Sequence, residues 1–193
     1  MKNVMLIILP LLLFGGIVSA QDEYSSSQNS TTEKQQMREA KKEHNKKVAS
    51  EKLMHYDSLL QTQSWVVEAH TIYNRYNLAY PVNPNLNFVS LNDSLLTIQL
   101  SFSNSMPGSN GVGGITLDGK ITRYDITRNK DKSLFIRCSA MTTLVGNSDL
   151  FINIYPNGRT SVKITDNWGN RYSFDGYIVP YLQSRAFKGM TTY

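Results

Sequence analysis

The 193-residue chain has a single cysteine, Cys138, and three histidines. One thiol excludes an intramolecular disulfide and the multi-cysteine zinc sites of small modules. Cys138 lies in the alternating apolar run Leu134-Phe135-Ile136-Arg137-Cys138. There a thiol packs as a small hydrophobe, and no neighbour in sequence offers the basic partner that a nucleophile needs. His44 and His55 are eleven residues apart, missing the i, i+4 spacing of a helical metal pair, and Asp166-x-x-Gly169 lacks the carboxylate density of a calcium loop. Long apolar runs are also scarce. The longest, Val4 to Phe14, is interrupted by Pro10 and is too short for a standard membrane span. Positive charge is modest as well. The formal charge is +5, and seven Lys/Arg against four Glu between Glu33 and His55 account for most of it. The remainder is close to neutral, which argues against a basic nucleic-acid-binding face.

What is present reads in order as five segments. Residues 1–20 have the form of a signal peptide: Lys2 is the positive start, an apolar run follows, and Val18-Ser19-Ala20 is a small-residue cleavage site. No cysteine follows the run, so the lipoprotein route is closed and the expected destination is the periplasm or the exterior, with Gln21 as first residue. Residues 21–32 are polar and nearly without apolar groups, and are expected as a flexible linker. Residues 33–62 carry helix formers without Gly or Pro. Thr32 and Gln35 fit a capping box, and apolar points concentrate after Val48. The reading is a basic helix, solvated in its first half and docked in its second.

From residue 63 to 182 the period becomes two. Expected strands are Trp65–Tyr73, Asn87–Leu91, Leu95–Ser103, Ile115–Thr127, Leu134–Val145, Leu150–Tyr155, one carrying Val162 and Ile164, and Arg171–Val179. Turns fall at Asn92-Asp93, Asn129–Lys132, Gly146-Asn147, Asp166–Asn170 and, most clearly, Pro156-Asn157-Gly158. In the fourth strand the apolar phase shifts from Ile115, Leu117, Gly119 and Ile121 to Tyr124 and Ile126, as a β-bulge would produce. The fold class is therefore all-β: an antiparallel up-and-down meander of about eight strands, closed or partly closed into a barrel, behind an N-terminal basic helix. Residues 183–193 are expected as an irregular tail.

Five of the twelve glycines fall between Met106 and Arg128. The bend lacks the Gly-Lys-Ser/Thr of a phosphate loop, and both it and a dinucleotide fingerprint require a following helix where this chain has a strand. Its glycines serve positive φ and close packing, or a rim loop at a barrel mouth. In the rim reading Pro107, Gly108, Asn110, Gly111, Gly113 and Gly114 contact the ligand. Glu68 and His70 share one face of the first strand, but no nucleophile elbow accompanies them. No catalytic residue, metal ligand or cofactor is assigned.

The stretch Gly111-Val112-Gly113-Gly114-Ile115-Thr116-Leu117-Asp118-Gly119-Lys120-Ile121 resembles the signature of a known family. So do the basic helix before Trp65-Val66-Val67-Glu68-Ala69, the Tyr80-Pro81-Val82 turn and the ending Gly176-Tyr177-Ile178-Val179-Pro180. The family consists of small secreted proteins of gut-type anaerobic bacteria, catalogued only as a domain of unknown function. The resemblance spans roughly residues 33–190. It implies an envelope or secreted location and a β-rich domain behind a charged helix, and brings no catalytic residues. Some of its members look like lipoproteins, whereas this chain lacks the lipidation cysteine. The functional expectation is an exported, non-enzymatic protein that binds a small apolar or amphipathic ligand in the barrel or curved sheet. The alternative is an envelope interaction module whose charged helix meets a protein partner.

Overall fold

A computed structural model describes residues 21–101 and 109–192. The expected signal peptide, Phe102, Ser103, Pro107 and Gly108 lie outside the described residues. The chain divides into two compact units, residues 1–45 and 46–193.

The described part of the first unit is helical. Helix α1 runs Gln21–Gln61, 41 residues, ending in the second unit. The expected linker at 21–32 is therefore helical backbone, and Thr32 is an interior position rather than a cap. The physical reason is the absence of any Gly or Pro from residue 21 onward through the helix. Once nucleated, such a segment propagates through polar residues, because each added residue contributes a hydrogen bond without a new nucleation cost. Side chains 33–47 are all exposed, and no apolar face forms there.

The second unit is the barrel. Its strands are β1 (Ser64–Tyr73), β2 (Ala79–Pro81), β3 (Phe88–Asn92), β4 (Leu95–Ser101), β5 (Gly114–Arg128), β6 (Leu134–Thr142), β7 (Gly146–Ile154), β8 (Arg159–Asp166) and β9 (Arg171–Pro180). All pairings are antiparallel, in the order β2-β1-β3-β4-β5-β6-β7-β8-β9, and β1 also pairs with β9. That last ladder, from Trp65↔Pro180 to Tyr73↔Ser173, closes an eight-strand barrel. The ninth strand, β2, was expected as a connection. It pairs with the far end of β1, where β3 no longer reaches. Pro81 suits this edge, because it has no N–H to donate.

Two bulges bend the wall. The β5–β6 register slips between Ile121 and Arg123, the place where the apolar phase changes. The β1–β9 register slips between Ala69 and Thr71, at His70. The β7–β8 hairpin turns where Pro-Asn-Gly predicts, with Gly158 at φ 84° and its N–H donating to the Tyr155 carbonyl at 2.8 Å. The β6–β7 turn comes earlier than expected, at 143–145, and Gly146 (φ 70°) opens β7 instead of closing β6. Thr142 Oγ1, donating to the Gly146 carbonyl at 2.7 Å, holds that corner.

The interior is filled. Trp65, Val67, Val89, Leu91, Leu96, Ile98, Leu100, Leu134, Ile136, Cys138, Leu150, Ile152, Val162, Ile164 and Phe174 form one buried cluster. This is the usual condition of eight-strand barrels, whose bore is just wide enough for their own side chains. Leu59 and Leu60, from the last turn of α1, join the cluster. The Tyr124 hydroxyl donates to the Leu60 carbonyl and accepts from Trp65 Nε1, both at 3.1 Å, and Arg128 pairs with Asp57. Tyr56 stands against Gly158, with its hydroxyl 2.2 Å from where a Cβ would be. Together these contacts lay the helix end across the barrel end that carries the β5–β6 and β7–β8 turns.

Candidate functional site

The outer wall of the barrel is not uniformly wet. Val66, Phe88, Ser90, Gln99, Ser101 and Thr116 point outward, opposite the core positions of their strands, yet all are buried. Most of them are covered by the segment after β9, while Ser101 is tied to the glycine bend through the Val112 carbonyl. A single 3-10 turn, Tyr181–Gln183, breaks from the barrel, and the chain then runs as a strap across the outer faces of β1, β3, β4 and β5.

The strap is fastened at several places along its length. Ser184 Oγ and the Arg185 N–H both donate to Glu68 Oε1, at 2.7 and 3.0 Å. The Phe187 N–H donates to the Asn85 carbonyl at 2.7 Å. Lys188 Nζ reaches Asp118 at 2.7 Å, and Thr191 Oγ1 also donates to that carboxylate. The Met190 and Thr192 N–H groups donate to the carbonyls of Asn110 and Thr116, at 2.9 and 2.8 Å.

Gln99 is the centre of this fastening and is completely buried. Its Nε2 donates to the carbonyls of Leu86 and Phe187, and its Oε1 accepts from the Gly189 N–H and Thr116 Oγ1. Asn110, 1% exposed, extends the network. Its Oδ1 accepts from the N–H groups of Val112 and Gly114, and its Nδ2 donates to Thr116 Oγ1. Every polar atom of these two amides thus has a partner, the condition under which a buried network rigidifies rather than destabilises.

The described part of the glycine bend is consequently a joint. Gly111 (φ 74°) and Gly113 (φ 84°) supply left-handed backbone around the Asn110 amide. Gly114 lies so close to β4 that a Cβ would stand 1.8 Å from the Leu100 carbonyl oxygen. Asn110, Gly111, Gly113 and Gly114 come together at the barrel end opposite the helix, where the strap ends. They do not line the cavity beneath the strap.

That cavity lies further along the strap. It is a groove of about 500 Å³ between the strap and the outer wall, lined by Val66, Phe88, Ser90, Leu96, Thr97 and Asp118 below and by Tyr181, Ser184, Ala186 and Lys188 above. Its lining is part apolar and part polar. Burial pushes the Asp118 carboxyl up, but hydrogen bonds from Lys188, Thr191 and Thr97 together outweigh it and hold the carboxyl below its usual value. Alternation hides this groove, because Thr97, Gln99 and Ser101 alternate with the core residues Leu96, Ile98 and Leu100 and so have the pattern of a solvent face. One signal pointed to it: Trp65-Val66-Val67 and Phe88-Val89 are unbroken apolar runs, which mark strands covered on both faces.

The Glu68 and His70 side chains do lie on one outer face, but in different company. Glu68 holds the strap, and the His70 ring meets Tyr177 edge-on, with centroids 5.5 Å apart. Cys138 is buried in the core, and burial chiefly, with a smaller effect from Asp149, pushes its thiol pKa up to about 12. Among the described residues no group of three or more His, Cys, Asp or Glu could hold a metal ion. Among the same residues no helix is long and apolar enough to cross a membrane.

The crystal structure of a DUF4251 family protein from Bacteroides eggerthii DSM 20697 is similar to this chain. The TM-score is 0.56 at 26% identity, with 69% of this chain and 90% of that one covered. Among curated proteins, none matches. Residues 47–178, which hold the docked end of the helix and the whole barrel up to Ile178, match the family described as Domain of unknown function (DUF4251), and the chain belongs to that family.

Proposed function

We propose that this is an exported, non-enzymatic binding protein that holds a small amphipathic ligand in the groove beneath the strap. The observation that carries the reading is the groove itself: about 500 Å³ on a barrel whose interior is already filled. A volume of this size suits a small organic ligand. The lining suits one with two characters. Val66, Phe88 and Ala186 offer apolar contact, while Ser90, Thr97, Asp118, Ser184 and Lys188 can orient a polar end. Export rests on the reading of residues 1–20 as a signal peptide, with the periplasm or exterior as destination. Fractionation of the host followed by N-terminal mass analysis checks it: the expected first residue is Gln21.

Binding is tested by native mass spectrometry of protein purified from its own host, before and after solvent extraction. A stoichiometric extra mass that leaves on extraction supports the proposal. An Ala186→Trp variant, which fills the groove from the strap side, should lose that mass while retaining the barrel's melting temperature. Retention of the mass by this variant counts against the groove.

A second reading is supported by the exposure of residues 33–46 along a 41-residue helix. A charged helix without an apolar face can present its side chains to an envelope protein partner. Deleting residues 21–45, and no further because Leu59 and Leu60 belong to the core, separates the two. Ligand binding survives the deletion, whereas partner capture does not.

A further inference from the structure

The side of the barrel away from the strap carries a different kind of hollow. Its residues come from the outward positions of β6, β7 and β8 and from the adjoining turns: Asn129, Phe135, Phe151, Asn153, Tyr155, Ser161 and Lys163. The space is about 490 Å³ and open to solvent. Cross-strand pairing puts the side chains in rows. Phe135 pairs with Asn153 and Asn153 with Ser161, while Arg137 pairs with Phe151 and Phe151 with Lys163. The Phe135 and Phe151 rings are nearly parallel, 21° apart with centroids at 6.4 Å, and the Arg137 guanidinium lies 5.8 Å from the Phe151 ring centre.

Three features of this hollow ask for one kind of ligand. Two half-buried, nearly parallel rings border the hollow and offer it π surface that attracts weakly polarised C–H groups, through the negative quadrupole of the ring face. Asn153 Oδ1 is buried without a hydrogen-bond partner, which in a native protein calls for an explanation. It is an acceptor and so wants an O–H or N–H donor. Lys163 and the Tyr155 hydroxyl, beside it, can donate to acceptor oxygens. A lipid chain would leave the amide and ammonium unpartnered, and a purely ionic ligand would leave the rings unused. A pyranose satisfies all three, since one ring face presents C–H groups and the equatorial hydroxyls around it both donate and accept.

We infer that the outer face of β6–β7–β8 is a binding site for a neutral pyranose oligosaccharide, with Phe135 and Phe151 stacking against a sugar ring and Asn153 accepting from one of its hydroxyls. The site is independent of the strap groove: the two share no lining residue. It is shallow, as suits an internal stretch of a longer glycan rather than a free monosaccharide.

The test is affinity electrophoresis and titration calorimetry of the mature chain against soluble glucan, mannan, xylan, galactan and chitin oligosaccharides. The expected result is binding to at least one of them, weakened about tenfold or more by Phe151→Ala and by Asn153→Ala, with the melting temperature and any groove-bound mass unchanged. If Phe151→Ala proves unstable, Tyr155→Ala, at the edge of the hollow, serves in its place. Failure of every glycan to bind overturns the inference. So does binding that Phe151→Ala, Asn153→Ala and Tyr155→Ala all leave unaltered, and so does binding of vesicles or peptides without any glycan.

Discussion

Replacing Gln99 by Leu tests whether one buried amide governs the strap. The side chain makes four hydrogen bonds, two of them to the strap itself, at Phe187 and Gly189. Leucine has similar bulk but no polar atoms, so all four are lost. At about 1 kcal/mol net for each, the loss is about 4 kcal/mol. Leucine recovers about 1 kcal/mol through its additional apolar surface, leaving about 3 kcal/mol. The Thr116 hydroxyl retains its bond from Asn110 but loses the acceptor of its own proton, a loss already counted among the four. The remaining orphans sit at the strap and beside it, and water reaches them if the strap lifts. The damage should therefore appear as local opening.

Native-state hydrogen exchange resolves this residue by residue. The Gly189, Met190 and Thr192 amides, which all donate to the wall or to Gln99, should exchange about 100-fold faster than in the unaltered chain. Amides of β6, β7 and β8 should keep their rates up to the limit set by global unfolding. The reasoning is refuted if those three strap amides retain their protection. It is equally refuted if β6–β8 loosen as much as the strap, because Gln99 would then be supporting the whole barrel.

Further expectations follow from other residues. The Asp118 carboxyl titrates below its usual value, so its ties to Lys188, Thr191 and Thr97 contribute fully above about pH 4 and fade as pH falls through the lowered value. Strap protection should fall on acidification below that point, and Asp118→Asn should flatten the acid limb; an unchanged acid limb would rule out this carboxylate. Gly176→Ala would place a Cβ 2.0 Å from the Glu68 carbonyl oxygen on the seam that closes the barrel. A cost of about 4 kcal/mol or more is expected, seen as loss of the cooperative melting transition. Leu60→Ala empties a wholly buried position at the helix end and should cost about 2–5 kcal/mol by urea denaturation, whereas Met37→Ala, 71% exposed, should stay within about 0.5 kcal/mol. Cys138, with its thiol pKa near 12 and no exposed surface, should react with maleimide only at the rate of global unfolding.

The barrel was legible because its determinants are local. Alternation placed Leu96, Ile98 and Leu100 inside β4, and the change of apolar phase in β5 located its bulge to within two residues. Pro-Asn-Gly marked the β7–β8 hairpin through the positive φ of Gly158. The β6–β7 turn was misplaced because Gly146 also has positive φ, and such a glycine can end a strand or begin one. The strap was illegible for a different reason. Residues 183–192 have no period of their own, and each of their ties reaches far back along the chain, from Ser184 to Glu68 or from Gly189 to Gln99. No window of neighbouring residues contains such a pairing. The glycine bend was singled out for its composition, but its described residues act through Asn110, whose side-chain amide holds the bend and whose backbone carbonyl fastens a segment about 80 residues away.

The polar positions of β4 and β7 show why alternation alone cannot distinguish a covered wall from an open one. Thr97, Gln99 and Ser101 alternate with core residues on β4, as Phe151 and Asn153 do on β7. On β4 the outward amide finds four partners under the strap, while on β7 the outward amide oxygen finds none. The apolar side chains follow the same division: Val66 and Phe88 are buried beneath the strap, whereas Phe135 and Phe151 stand in the open hollow. Sealing one sector with a hydrogen-bonded strap removes its unmet polar demand. The unsealed sector keeps both an unpartnered acceptor and two ring faces, a combination that costs stability unless something binds there. Burial of Asn153 Oδ1 without a partner is thus the feature by which the open wall reads as a surface for recognition, and an Asn153→Leu variant should be at least as stable as the unaltered chain while losing the glycan. A variant less stable than the original would instead mark Asn153 as a support of the β6–β7–β8 wall.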